Sequence, residues 1–326
     1  MQKRVLGRTG RDVSVIGLGT WQLGADWGDV DESAAFDVLG ASVDAGVTFF
    51  DTADVYGDGR SEQFIGRFRR QHPDLDLTVA TKMGRRGAQD PAEFTLDNFR
   101  AWTDRSRENL GVETLDLVQL HCPPTPVFSS DAVYDALDTL VEEQRIAAYG
   151  VSVETSDEAL AAIARPGTAT VQIILNAFRL KPLDAVLPAA REAGVGIIAR
   201  VPLASGLLSG KYTEDTTFAE NDHRTYNRDG SAFDVGETFS GVDFETGVKA
   251  AREFAALVPE GVTPAAAALA WIAQLDGVSA VIPGARNRAQ AEANAAAADV
   301  VLPAGFDAAV RDIYDRSFRD AIHSRW

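Results

Sequence analysis

Short apolar runs alternate along most of the chain with longer segments in which apolar residues recur at helical spacing. The apolar runs predict strands at 13–19, 48–51, 77–82, 115–121, 147–153, 170–176, 196–202 and 279–282. The amphipathic segments predict helices at 33–45, 61–70, 93–109, 131–144, 156–164, 183–193, 243–257, 264–274 and 287–297. Two short β-like pieces within residues 2–14 predict a hairpin that precedes the main fold.

Eight strands that are nearly all followed by helices predict an α/β fold with parallel strands, closed into a (β/α)8 TIM barrel. We expect one domain over residues 1–326, with the hairpin at its start and extra helices at its end. An open doubly wound sheet is the alternative, but Gly17-Leu18-Gly19 is not followed by the glycine and helix of a dinucleotide fingerprint. The polar segment 205–242 is too long for a simple connection, which predicts a functional lid or clamp.

Composition narrows the possible functions. The net charge of −17 disfavours nucleic acids and anionic membranes as partners, because both need a positive surface. The single cysteine, Cys122, cannot form an intramolecular disulfide; it follows His121 directly, which predicts a core-filling side chain on the opposite face of the strand. The four histidines lie far apart, so no metal site is expected. No secretory segment or membrane-length apolar run is evident, and we expect a cytoplasmic protein.

Four ionisable residues stand at or just beyond the ends of three consecutive predicted strands. They are Asp51, Tyr56, Lys82 and His121. Each has an ordinary structural explanation when taken alone, but in a barrel these strand ends meet at one mouth. A lysine ending an apolar strand needs a counter-ion, which Asp51 provides. Its ammonium would lower the pKa of Tyr56 from about 10 and make it a general acid. The set suits protonation of a carbonyl oxygen while hydride reaches the carbon.

The motif at residues 51–57, with Lys82, Leu120-His121 and Gly150-Val151-Ser152, resembles the aldo-keto reductase superfamily. The resemblance runs from the hairpin at 6–10 to residues 282–286, and the segment 202–212 is similar to the bacterial general-stress and inositol-utilisation branch. It implies NADPH-dependent reduction of aldehydes and ketones on a (β/α)8 barrel. It also implies a catalytic tetrad of Asp51, Tyr56, Lys82 and His121, with Tyr56 as the acid.

The resemblance also implies a cofactor site along the mouth. Ser152 and Gln172 would hold the nicotinamide amide, and Arg200 would stack on its ring, with a simple ion pair as the alternative. Backbone N–H groups around Ser205-Gly206 would bind the diphosphate, and Arg286 the 2′-phosphate. The assigned residues are Gly19, Thr20, Trp21, Asp51, Ser152, Gln172, Arg200, Pro202, Leu203, Ser205, Gly206, Leu208, Lys211, Arg224, Gly284, Arg286 and, at the adenine end, Gln290 and Asn294. The usual lysine is replaced by Gly284, so NAD remains possible beside NADP.

The substrate pocket would be walled by Trp21, Trp27, Tyr56 and His121, with Phe178 as a further candidate. Such an aromatic wall favours carbonyl compounds with apolar groups. The tail 318–326 is either a frayed terminus, the default, or a cover over the pocket. Two other functions stay open: an NAD(P)-linked sugar or polyol dehydrogenase, and a nicotinamide-binding regulatory subunit with little turnover. We expect a small-molecule substrate and a monomer or weak homo-oligomer.

Overall fold

A computed structural model of the chain describes residues 1–24 and 31–326. Its strands are β1 (Lys3–Val5), β2 (Asp12–Ser14), β3 (Leu18–Gly19), β4 (Phe49–Asp51), β5 (Thr78–Met83), β6 (Leu117–His121), β7 (Tyr149–Ser152), β8 (Thr168–Ile174), β9 (Gly196–Arg200) and β10 (Val278–Val281). Strands β3 to β10 form one parallel sheet in chain order. Parallel bridges from Ile16 to Val281 and from Gly19 to Gly284 join its two edges. The predicted (β/α)8 barrel is thus confirmed.

Helices connect and follow the strands, and most of them cover the outside of the barrel. They are α1 (Trp21–Gly24), α2 (Glu32–Asp44), α3 (Arg60–Gln71), α4 (Leu96–Leu110), α5 (Asp131–Glu142), α6 (Ser156–Ile163), α7 (Val186–Ala193), α8 (His223–Tyr226), α9 (Phe244–Leu257), α10 (Pro264–Gln274), α11 (Arg288–Ala296), α12 (Phe306–Ser317) and α13 (Arg319–Ile322). Their apolar faces pack on the outer faces of the strands in one large hydrophobic core. None of the helices described is long and apolar enough to cross a membrane.

The inside of the barrel has an apolar layer below a polar one. Alternate residues of a strand face the same side, so inward positions recur every second residue. The apolar layer consists of Leu6, Val13, Phe49, Ala80, Leu117, Ile198, Ala280 and Ile282. Two residues further along four of the strands stand Asp51, Lys82, Gln119 and Arg200. Strand alternation therefore brings these polar side chains to the carboxyl-terminal mouth of the barrel.

The hairpin closes the opposite end of the barrel. Strands β1 and β2 pair antiparallel, with Lys3 opposite Ser14, and Leu6 and Val13 join the interior apolar layer. The prediction of one continuous strand over 13–19 is wrong. Residues 12–14 pair with β1, and only residues 18–19 form a barrel strand, because the chain passes from the hairpin to the barrel wall between them.

The long segment after β9 and the end of the chain pack against each other. Within 204–241 the chain forms short 3₁₀ turns and the helix α8 rather than an open loop. The default of a frayed terminus is wrong, because Trp326 is buried. Its indole Nε1 donates to Asp234 Oδ1 at 3.0 Å, and the Arg179 guanidinium lies 3.8 Å from its ring centroid. The tail thus anchors the long segment beside the mouth.

Candidate active site

The four predicted catalytic side chains meet at the mouth of the barrel. Asp51 ends β4, Lys82 lies near the end of β5 and His121 ends β6, while Tyr56 follows β4 in a loop. Lys82 Nζ donates to Asp51 Oδ1 at 2.5 Å and to the Thr52 carbonyl oxygen at 2.8 Å. It also lies 3.4 Å from the Tyr56 hydroxyl. The Tyr56 and His121 rings are 5.9 Å apart at an interplanar angle of 84°. The parallel register thus assembles a lysine that bridges a carboxylate and a phenol.

Two buried glutamines complete the surroundings of Asp51. Gln172 Nε2 donates to Asp51 Oδ2 at 2.7 Å, and Gln119 Nε2 donates to the same oxygen at 3.2 Å. The two glutamine amides therefore hold one carboxylate oxygen of Asp51, and Lys82 holds the other. The amide nitrogen of Gln172, assigned by resemblance to the nicotinamide, is used here for Asp51. Gln119 was missed, although its position two residues before His121 on one strand marks it as facing inward.

Close backbone packing fixes the loop that carries Tyr56. A Cβ atom on Gly24 would lie 2.5 Å from the Tyr56 carbonyl carbon, and one on Gly57 would lie 2.1 Å from the Gly24 carbonyl oxygen. Gly57 also has φ +60°, which glycine adopts readily. These two positions accept no side chain without moving the loop. The close approach of residues 24 and 57 thus sets where the Tyr56 hydroxyl stands.

A buried chain of hydroxyl groups ties the same loop to the barrel. Thr52 Oγ1 donates to Ser61 Oγ at 2.9 Å, Ser61 Oγ donates to Thr20 Oγ1 at 2.8 Å, and Thr20 Oγ1 donates to the Asp51 carbonyl oxygen at 2.9 Å. The N-cap residue of α3 is Gly59, and the Ser61 hydroxyl belongs to this network. The Thr20 hydroxyl, assigned to the cofactor, also serves this network. The Thr20 and Ser61 side chains thus hold the loop that carries Tyr56 through buried hydrogen bonds.

The electrostatics of the site differ in one respect from the expectation. The Tyr56 pKa is raised above its ordinary value, because burial outweighs the opposing charge of Lys82. The expected net lowering is therefore wrong. Burial alone would lower the pKa of Lys82. Asp51 and Tyr56 have the larger opposite effect, so the pKa of Lys82 is raised above its ordinary value. Burial, together with the charges of Arg85 and Lys82, lowers the His121 pKa well below 6.5. The site thus contains a protonated phenol, an ammonium and a neutral imidazole.

Asp54 is a further buried acid that sequence reasoning did not single out. It is fully buried between Asp51 and Tyr56 in sequence, and neither carboxylate oxygen has a hydrogen-bond partner among the described residues. Burial and the nearby charge of Glu62 raise its pKa to about 7, against the opposing charges of Arg86 and Arg105. Nothing in the sequence distinguishes this carboxyl from an exposed one in a turn.

Charged side chains from five segments form a second cluster at the mouth, which we call the ionic cluster. Its members are Arg85, Glu154, Arg179, Arg200 and Glu237. Arg200 donates to Glu154 Oε2 at 2.9 Å and to the Val153 carbonyl oxygen at 3.1 Å, and lies 3.5 Å from Glu237 Oε1. The structure thus contains the ion pair that the sequence offered as the alternative at Arg200. Stacking on a nicotinamide ring stays a prediction.

The prediction that Cys122 fills the core is wrong. The residue has φ +46°, so strand alternation stops at His121 and the thiol turns toward the mouth. Its Sγ lies 3.5 Å from Ser152 Oγ and 3.7 Å from an Arg200 nitrogen. Burial raises the Cys122 pKa to about 12, so the thiol is protonated at neutral pH.

Within the described part of the chain, one group of side chains has metal-ligand spacing. Atoms of Cys122, Glu154 and Glu237 lie within 4.8 Å of one another. However, Arg200 and Arg85 already pair with both carboxylates, and the thiol keeps its proton. We interpret the two glutamates as members of the ionic cluster and Cys122 as its uncharged neighbour, rather than as metal ligands.

Two arginines assigned to the cofactor, one in α8 and one before α11, are near enough for one to affect the pKa of the other. Arg224 on α8 pairs with Asp222, and its Nη1 donates to the Tyr212 hydroxyl. Arg286 stands before α11, where burial and the positive charge of Arg224 lower its pKa. Two neighbouring cationic side chains suit an anion, and binding of the cofactor phosphates by Arg224 and Arg286 stays a prediction. Arg288, by contrast, pairs with Asp37 at 2.8 Å.

The other assigned cofactor residues fall into two groups. Trp21 begins α1, Ser152 ends β7, Leu203, Ser205 and Lys211 follow β9, and Gly19 pairs with Gly284. Several expected contacts are instead used within the protein. The Gly206 N–H donates to the Leu203 carbonyl oxygen at 2.9 Å, and Leu208 is a core residue, like the buried Pro202. The Gly206 N–H is thus used within the protein, and binding of the diphosphate by the backbone N–H groups around Ser205-Gly206 stays a prediction.

The adenine side is organised by helix capping. Gln290 Oε1 accepts from the Arg286 N–H at 2.9 Å, and Asn294 Nδ2 donates to the Gly284 carbonyl oxygen at 3.1 Å. Asn287 caps α11 through the Gln290 N–H. These bonds fix the turn 284–287 and with it the backbone position of Arg286. Adenine contacts by Gln290 and Asn294 stay a prediction.

The predicted aromatic wall is only partly formed by the residues named for it. The Trp21 ring lies 5.1 Å from that of His223, a residue of α8 that sequence reasoning missed. Burial lowers the His223 pKa to about 4. Phe178 is fully buried against Phe318, so its assignment to the pocket is wrong. Trp27 lies outside the described residues.

Comparison with known proteins identifies relatives along almost the whole chain. A model of the Aldo/keto reductase family matches residues 15–315. An aldo-keto reductase from Strobilurus tenacellus is 34% identical over 320 residues, covering 94% of this chain and 90% of that protein. A Schizosaccharomyces pombe aldo-keto reductase whose name specifies NADP(+) is 30% identical over 312 residues, covering 92% of this chain and 87% of that protein.

Solved structures have the same fold. A glycerol dehydrogenase from Gluconobacter oxydans has a TM-score of 0.80 and 29% identity, covering 98% of this chain and 97% of that one. An aldo-keto reductase from Klebsiella pneumoniae in complex with NADPH has a TM-score of 0.70 and 24% identity, covering 96% of each chain.

Proposed function

Because the chain belongs to the aldo/keto reductase family, we propose that it reduces aldehydes or ketones to alcohols with NADPH, with Tyr56 as the proton donor. The observation that carries this proposal is the contact of Lys82 Nζ with both Asp51 Oδ1, at 2.5 Å, and the Tyr56 hydroxyl, at 3.4 Å. A buried ammonium beside a phenol serves to stabilise the phenolate that forms when the proton leaves.

The raised pKa of Tyr56 agrees with this role. It keeps the phenol protonated at neutral pH, so the donor form is fully populated before reaction. The Lys82 charge acts when the proton is transferred, because it opposes the cost of a buried phenolate. Neutral His121 can donate a ring N–H to the carbonyl oxygen of the substrate, which also receives the proton of Tyr56, and can orient that oxygen. Asp51, held by Gln119 and Gln172, keeps the ammonium in place.

NADPH would supply the hydride when bound. In this chain Arg224 and Arg286 would hold its phosphates, because their guanidiniums already lie close enough to repel each other. The turn 284–287 would let Arg286 reach the 2′-phosphate that distinguishes NADPH from NADH. The NADP(+) named for the Schizosaccharomyces pombe relative supports this choice, and NAD stays possible.

The second candidate is the reverse reaction, as a polyol or sugar dehydrogenase. The 29% identity to a glycerol dehydrogenase over 98% of this chain favours it. The same four residues would serve, with Tyr56 accepting the proton of the alcohol. The two candidates differ in the physiological direction and in the cofactor redox state, not in the site.

The direct test is absorbance at 340 nm with an aldehyde and either NADPH or NADH at equal concentration. We expect turnover, faster with NADPH. Turnover of glycerol with NAD(P)+ exceeding aldehyde reduction under matched conditions would favour the second candidate. Binding of NADPH with no turnover of any aldehyde, ketone or polyol tried would contradict both and favour a regulatory subunit.

A further inference from the structure

We propose that Arg85 and Glu237 recognise hydroxyl groups of the substrate, so that the enzyme prefers small hydroxylated carbonyl compounds to apolar ones. This inference rests on the proposed function, because it names the substrate class of the same site. It also departs from the expectation that an aromatic wall selects apolar carbonyl compounds.

The first support is the position of Arg85. Its Nε donates to the carbonyl oxygen of His121 at 3.3 Å, so the guanidinium lies directly beside a predicted catalytic residue. Its Nη2 lies 3.3 Å from Glu237 Oε1 and 3.7 Å from Glu154 Oε1. Arg85 follows β5 three residues after Lys82, so it stands beyond the strand end at the rim. The arginine thus links the tetrad to the ionic cluster.

The second support is exposure. The Lys82 and Asp51 side chains are 1% and 3% exposed, whereas Arg85, Glu237 and Glu154 retain 26%, 18% and 16%. The ionic cluster therefore keeps part of its polar surface open, while the Lys82–Asp51 pair is sealed. A substrate whose carbonyl reaches Tyr56 and His121 would lie next to this open polar surface.

The third support is the reach of the Glu237 charge. Its negative charge is one of the causes that raise the pKa of Tyr56, and it opposes the burial that lowers the pKa of His223 on α8. The charges of Arg200 and Arg85 lower the pKa of Glu237 itself against the effect of burial, so it stays ionised. An ionised carboxylate beside Arg85 at this mouth is an acceptor for substrate hydroxyl groups.

The ionic cluster offers hydrogen-bond acceptors as well as donors. Arg85 and Arg200 each pair with both Glu154 and Glu237, and the Glu237 carboxylate stays ionised beside them. An apolar substrate would cover these groups without replacing their hydrogen bonds to water, which is costly. Hydroxyl groups can replace them.

The test compares two aldehydes of the same carbon number, glyceraldehyde and propanal, with NADPH. Wild-type protein should have the higher kcat/KM for glyceraldehyde. In Glu237→Gln, kcat/KM for glyceraldehyde should fall about tenfold further than that for propanal, mainly through KM, because a charge-assisted hydrogen bond is weakened. Glu220→Gln, an exposed glutamate of the same long segment, is the matched control and should not change the ratio.

The double variant Arg85→Gln/Glu237→Gln controls for misfolding of the single variant. It removes one charge of each sign, so no unpaired charge is left by the change, and it should lose the same preference for glyceraldehyde over propanal. An equal fall for both aldehydes in both variants, or a wild-type preference for propanal, would overturn the inference and leave the proposed function standing. Absence of turnover with either aldehyde would overturn the proposed function and this assignment with it.

Discussion

The mouth of the barrel has two halves that are built differently. In the half formed by β4 to β6, Asp51, Lys82 and His121 come from consecutive strands, and parallel register alone brings them together. In the half formed by β7 to β9 and the long segment, Arg200 meets Glu154 from after β7 and Glu237 from a 3₁₀ turn. The first half follows from strand geometry, whereas the second depends on how an irregular segment packs.

Under the proposed function, this difference would separate the reacting groups from those that recognise the substrate. The strand-built half holds its charges sealed and fixed, as proton transfer to a defined point would require. The segment-built half keeps its charges partly exposed and is anchored by Trp326 from the tail. We therefore expect changes in the long segment to alter the substrate preference without disturbing the four proposed catalytic residues.

The largest effect is expected from Lys82→Met in the strand-built half. It leaves Asp51 buried with no cation, which should lower the free energy of unfolding by about 3–5 kcal/mol. Urea denaturation measures this change. Lys249→Met removes only an exposed helical pair and serves as the control, with an expected change below about 0.5 kcal/mol. A loss in Lys82→Met no larger than in the control would show that the pair is not sealed.

A comparable effect that depends on pH is expected from Asp54→Asn. The folded-state pKa is raised to about 7 from an ordinary 3.8, so ionisation of Asp54 costs stability as pH rises from about 4 to about 7. Wild-type protein should lose up to roughly 4 kcal/mol over this window through Asp54, whereas the variant should lack this loss. Urea denaturation at pH 5 and pH 8 should detect about 3 kcal/mol of this loss, since the first part of the window lies below pH 5. An identical pH dependence in both proteins would contradict the buried, unpartnered carboxyl.

The smallest effect is expected from Arg286→Ala on the cofactor side. Loss of a guanidinium contact to phosphate should weaken NADPH binding about tenfold and NADH binding much less. Arg288→Ala is the matched control, because that arginine pairs with Asp37 and Glu292. Fluorescence titration of both cofactors gives the dissociation constants. Equal weakening of NADPH and NADH binding would place the contact away from the 2′-phosphate.

The same division explains what could be predicted from the sequence. The eight strands, most helices and the meeting of Asp51, Tyr56, Lys82 and His121 followed from periodicity and from the topology of a parallel barrel. Gln119 was missed but recoverable, since it shares the inward parity of His121.

Other features had no signal in the sequence. Cys122 turns inward because its φ is positive. The sequence has no glycine or asparagine at this position that would predict such a backbone conformation. Glu237 reaches the mouth through tertiary packing of a segment without periodicity, so neither its burial nor its partners could be derived. The net direction of the Tyr56 pKa required the extent of burial, which only the structure provides.

The most direct test of the central claim is the rate of carbonyl reduction by Tyr56→Phe. If Tyr56 donates the proton, kcat should fall about a thousandfold while the NADPH dissociation constant stays within twofold of wild type. Tyr134→Phe, on helix α5, is the control and should retain turnover. Reduction by Tyr56→Phe within tenfold of the wild-type rate would contradict the assignment and require another proton donor at this mouth.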